Sequence, residues 1–229
     1  MFSLSIRKKC QLCSQLSSRL KQLVRRFFGW QVDCRGVNRR TQNEDNKRVF
    51  GINEAAPDCG CEKFRMSDHS PGVVGDAEKL SRFVFSPFQV GKNGELNSGA
   101  FSHVYEKGCS IQRDTIAEND EILLFVNQFL EKRDDLAWKG LLLADCSAVR
   151  KILVKNSTRR AVCVYDTAEE ENPAHGELCQ TQHVLDEDDK VELRHDLLMA
   201  FGNKAIIPPA QYRDGIIWNG LPSQFQTRG

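Results

Sequence analysis

Apolar residues follow a helical period up to residue 30, lose any period from 31 to 77, and then gather in short runs between turns. That division limits the fold more than any single motif does. One mixed core must come from residues 78–229, preceded by a helix and a polar linker. In the first stretch Ile6, Cys10, Cys13, Leu16, Leu20, Leu23, Val24 and Phe27 recur every three or four residues, which places them on one helical face. Arg7, Lys8, Arg19, Arg25 and Arg26 fall mostly opposite, and Gly29-Trp30 marks a plausible end. Residues 31–77 are rich in polar and turn-forming types and read as a linker without regular structure, or one draped over the body.

The body begins near Glu78. Phe83-Val84-Phe85 predicts a strand stopped by Ser86-Pro87, because proline cannot donate to a ladder. Lys92-Asn93-Gly94-Glu95 signals a turn, Ser98 to Phe101 a polar loop, and Cys109–Arg113 a short strand. Residues 119–132 carry Ile122, Phe125, Val126, Phe129 and Leu130 at helical spacing. Strands are expected at Trp138–Ala144, Arg160–Tyr165 and Ala174–Cys179. A short helix capped by Asp145 and a longer one over Asp186–Phe201 complete the body, with Ile216, Ile217 and Trp218 in a final docked strand or loop. Irregular alternation of strands and helices makes the fold class α+β.

The near-neutral total of 32 Lys/Arg against 31 Asp/Glu hides an asymmetry. Residues 1–48 hold twelve basic against three acidic residues, and residues 49–229 hold twenty against twenty-eight. A basic arm on an acidic body suits a protein partner, a nucleic acid or an anionic membrane surface, reached through residues 1–48. Its basic, acid-free start also fits a mitochondrial presequence. No run of apolar residues approaches the roughly 20 needed to span a bilayer. A cytoplasmic protein, with peripheral membrane association through the arm, is the expectation.

Nine cysteines, an odd number with several inside apolar runs, read as buried free thiols in a reducing compartment rather than as a disulfide framework. Cys10-x-x-Cys13 and Cys59-x-Cys61 with His69 have some of the spacing of a zinc site. Cys10 and Cys13 sit a turn apart on an apolar face, where small hydrophobes also belong. No metal and no cofactor is therefore expected.

Two groups of residues have the types that chemistry needs. His175 follows Asn172-Pro173-Ala174 at a strand start, with Asp166, Glu169, Glu170, Glu171 and Glu177 close in sequence, as suits an acid/base histidine. Arg82, Ser110 and Arg113 could hold a phosphate, since a guanidinium matches phosphate bidentately. Strand alternation puts Ser110 and Gln112 on one face and Arg113 on the other. No glycine-rich phosphate loop, nucleophile elbow or zincin motif occurs.

Arg82, Gly94 followed by Ala100-Phe101, Ser110 with Arg113, and Asn172-Pro173-Ala174-His175 together resemble an uncharacterised type of small bacterial protein, over about half the chain. The resemblance implies a bacterial setting and carries no assigned activity. Two functions follow as expectations. One is an accessory or interaction protein of a multi-protein bacterial system, of the phage-defence or toxin-related kind. The other is an enzyme acting on a nucleotide or RNA, using His175 with Arg82 or Arg113.

Overall fold

The computed structural model describes residues 32–43, 47–91, 95–114, 116, 119–202 and 206. The basic helix expected over residues 1–30, and the final strand or loop expected around Ile216, Ile217 and Trp218, lie outside them. Among the described residues no helix is long and apolar enough to cross a membrane.

The chain runs α1 (Cys34–Thr41), α2 (Arg48–Ala55), β1 (Lys79–Ser86), a 3-10 segment (Ser98–Tyr105), β2 (Cys109–Arg113), α3 (Asn119–Glu131), β3 (Ala137–Asp145), α4 (Cys146–Arg150), β4 (Val162–Asp166), β5 (His175–Gln180) and α5 (Glu187–Ala200). Five strands form one antiparallel sheet in the order β3-β1-β2-β5-β4. This is an α+β domain, as its alternating elements predicted.

Strand alternation sends Leu80, Val84, Ile111, Leu142, Val164 and Leu178 into the main core. The 3-10 segment, α4 and α5 cover that face, with Phe101 and Phe201 wholly buried at a ring separation of 5.1 Å. Asp186 begins α5 as expected, its carboxylate accepting the Asp189 amide (2.9 Å) and satisfying one orphan donor. Asp145 stands at the start of α4 but makes no such cap bond; its carboxylate pairs with Lys79 instead.

The opposite face is covered in two pieces. Over β1 and β3, α3 packs Val126 and Leu130 against Phe83, Phe85 and Leu141. Over β4 and β5 lie described residues from 34 to 69, part of the stretch that the sequence suggested as a linker. It holds two helices and buries Val37, Val49, Ile52 and Met66. Two disulfides, Cys34–Cys61 and Cys59–Cys163, fasten it to itself and to β4. This corrects the reading of the cysteines as free thiols: of the described cysteines only Cys109, Cys146 and Cys179 are free, all buried. The segment looked like linker because sulfur bridges and ion pairs, rather than an apolar stripe, hold it down.

Candidate functional site

Between the two covering pieces the second face of the sheet stays open over β2, and a cavity of about 690 Å³ occupies the gap. One side is aromatic, formed by Phe83, Phe85, Phe88 and Phe129. The other is basic and polar, formed by Arg48, Arg82, Lys107, Ser110 and His175 with Glu177. Three residues singled out in the sequence, Arg82, Ser110 and His175, thus meet in one trough.

Arg82 reaches it through a parting of strands. β1 and β2 pair only at Leu80–Arg113 and Ser81–Gln112. Beyond that the Arg82 guanidinium bonds to carbonyls near the diverging strands, Nη1 donating to Ser110 O (2.7 Å) and Nε to Ala100 O (3.2 Å). Arg82 is only 9% exposed and has no carboxylate partner among the described residues. A charge this far from water ordinarily has one.

Arg48 comes from α2, whose first turn docks through the Val49 amide on Glu106 O (2.8 Å). Its Nε donates to Glu177 Oε2 (2.8 Å) and its Nη2 to Asn38 Oδ1 (2.8 Å), while buried Nη1 has no partner among the described residues. The Arg48 guanidinium lines the cavity, and its charge favours an anion there. Sequence reasoning passed over Arg48 because it lay in the supposed linker. The signal available was Val49 and Ile52 at helical spacing directly after it.

His175 opens β5. Its Nδ1 lies 3.0 Å from Thr167 Oγ1 and 3.2 Å from Thr167 O. A carbonyl can only accept, so Nδ1 carries the proton in the neutral ring and Nε2 keeps its lone pair. Nε2 has no partner among the described residues. The Ser110 hydroxyl, exposed on the same strand face, is likewise available. Gly108 lets the chain pass close here: it sits at φ 85°, and a Cβ on it would meet the Glu177 carboxylate at 3.0 Å.

Arg113 is not brought to the trough. It points to the other face, 3% exposed, where Nε and Nη2 grip the Glu78 carboxylate at 2.8 Å each and Nη1 donates to Gly72 O (2.6 Å) and Asp166 (3.3 Å). Burial pushes the Asp166 carboxyl up, against the pull of its Ser70 and Arg113 partners. This cluster clamps the 70–78 turn onto β2 and β4. Of the acids near His175 in sequence, Glu177 and Glu169 line the trough; Glu170 and Glu171 line a separate cavity of about 470 Å³ with His69.

The zinc spacing does not assemble a metal centre. Cys10 and Cys13 lie outside the described residues. Among the described ones the only set of ligand atoms close enough is Cys59, Glu62 and Cys163, within 4.8 Å. There both sulfurs are bonded to each other, and Glu62 is held by Arg160 (2.9 and 2.7 Å) and the Val164 amide (2.6 Å).

No known protein family, curated protein or solved structure matches this chain. The class is therefore set by the fold and the trough alone: an α+β domain with a basic and aromatic cavity across the middle of an antiparallel sheet.

Proposed function

We propose that the trough binds a phosphate-bearing ligand of the nucleotide class, a free nucleotide or the end of an RNA strand, and that His175 acts on it as acid or base. The observation that carries this reading is Arg82, a nearly buried guanidinium with no carboxylate beside it. Phosphate is the anion a guanidinium matches best. On the aromatic side Phe88, 63% exposed, offers a ring on which a base stacks, worth about 1–3 kcal/mol per base. With phosphate held at Arg82 and Arg48, His175 Nε2 is free to take a proton from a hydroxyl or water nucleophile. The accessory-protein reading rests instead on the excess of basic residues over residues 1–48.

The test is thermal shift and calorimetry of the full chain with nucleoside mono- and diphosphates, short oligoribonucleotides and inorganic phosphate. Nucleotides should bind more tightly than phosphate alone. Arg82→Gln should lose at least tenfold in affinity, and His175→Ala should still bind but not turn over. If no nucleotide or oligoribonucleotide binds the wild-type chain, the reading is wrong.

A further inference from the structure

The trough wall that carries Arg48 is held by sulfur. Cys34–Cys61 closes a loop with a sequence separation of 27, and Arg48 lies within it. Cys59–Cys163 then ties the end of that loop to β4. Between the two bridges the backbone is strained: Asp58 and Cys59 are successive non-glycine residues in the left-handed region, at φ 56° and 57°. Such residues persist only where their surroundings over-determine them. Here the surroundings are the Cys59–Cys163 bond and the hold of Gln182 and His183 on the Asp58 carboxylate (2.9 and 2.5 Å).

The pairing is stable against the free thiols of the described residues. Cys179 stands directly opposite Cys163 in the β4–β5 register, the placement from which it could exchange. Burial pushes its thiol well up; it also raises that of Cys109, and it pushes Cys146 up to about 12. Protonated thiols do not attack disulfides. None of these three thiols opens the bridges, and that step is assigned to an outside reductant.

We infer that the two disulfides are a redox control on the trough: a dithiol reductant opens them, the Asp58–Cys59 turn relaxes, and Arg48 is released from its place beside β5. The ligand part of this inference rests on the nucleotide reading above. In each opening, a reductant thiolate attacks the sulfur of the less buried residue, Cys34 or Cys59, and Cys61 or Cys163 leaves as a thiolate that takes up a proton. The reductant's second thiol then resolves the mixed disulfide. It departs as a cyclic disulfide, so two electrons and two protons pass to the protein for each bridge.

The experiment compares the full chain before and after dithiothreitol. Iodoacetamide labelling read by mass spectrometry should add Cys34, Cys59, Cys61 and Cys163 to the labelled set only after reduction. Tryptic cleavage after Arg48, which is 4% exposed, should then speed up at least tenfold. The double variant Cys59→Ser/Cys163→Ser should show the fast cleavage without reductant. Nucleotide affinity of the oxidised chain should fall at least tenfold on reduction. Labelling of those four cysteines without reductant, or unchanged cleavage after full reduction, overturns the inference. An oxidised chain that binds no nucleotide defeats the ligand reading alone, because cleavage still reports on the switch.

Discussion

Arg48 and Glu177 form a buried ion pair, Nη2 to Oε2 2.7 Å, that joins α2 to β5 along the basic side of the trough. The two side chains are 5% and 10% exposed, so neither charge is solvated when the other is missing. The pair therefore does two things at once. It pins the 34–77 segment to the sheet, and it leaves Nη1 of the same guanidinium unspent.

Removing the acid separates those roles. Glu177→Ala strands a buried cation and should lower the unfolding free energy by about 3–5 kcal/mol in urea titration. Glu177→Gln keeps a hydrogen-bonding partner and should cost less. It also removes a negative charge from the trough, so nucleotide phosphate should bind more tightly to Glu177→Gln than to wild type. Weaker binding in that variant would argue against Arg48 as a ligand contact.

Arg113 supplies the contrast with Arg82. Its planar fork engages Glu78 through two bonds and reaches Gly72, Val73 and Asp166 besides. Lysine keeps the charge and loses the fork. Arg113→Lys should destabilise the fold by about 1–3 kcal/mol, while nucleotide affinity of the folded fraction stays at the wild-type value. Chemical denaturation and calorimetry on the same preparation check both halves.

The sheet was legible because its strands carry their own signals. Cys109–Arg113 emerged from alternation alone, and Ser86-Pro87 marked the end of β1. The 34–77 segment was not legible, since what holds it is non-local. Arg48 meets a carboxylate 129 residues away, and Cys59 a sulfur 104 residues away. Hydrophobic periodicity registers only what a segment shows its near neighbours. For the site, the residue types at Arg82, Ser110 and His175 were visible, but their meeting depends on β1 and β2 parting after Ser81. Arg82 and Arg113 look alike as letters. The opposite faces of Ser110 and Arg113 on β2 were the one clue that the two arginines differ.

Gly176 tests the packing between β4 and β5. A Cβ there would lie 2.9 Å from the Tyr165 carbonyl and 3.4 Å from Ile111, and the carbonyl belongs to a paired strand that cannot swing away. Gly176→Ala should cost about 1–3 kcal/mol through overpacking, despite alanine's lower backbone entropy cost. A stability equal to or above wild type would show that the two strands can separate by the needed few tenths of an ångström.

The pH dependence of stability should carry the mark of Asp114. Burial raises its carboxyl from 3.8 to about 7, and the nearby Lys79 charge offsets only part of that. A raised acid holds its proton in the folded state after the unfolded chain has lost it. Between pH 4 and 7 the folded state thus binds more protons, and stability falls as pH rises through that window. Asp166, also raised by burial, acts in the same direction. Asp58, Asp68 and Asp76 are lowered by their hydrogen-bond partners and act below about pH 4, where their contribution is lost as pH falls. Asp114→Asn removes the titration without removing the side chain's volume. At pH 4 the variant and wild type should melt closest together. At pH 8 the variant should be more stable by about 1 kcal/mol, a shift reduced because Asp114 is partly solvated, or about 2–4 °C in melting temperature. Melting curves of the two proteins at half-unit steps from pH 4 to pH 8 should therefore diverge up to about pH 7 and then level off. Parallel curves would mean that the Asp114 carboxyl ionises in the folded chain as readily as in the unfolded one.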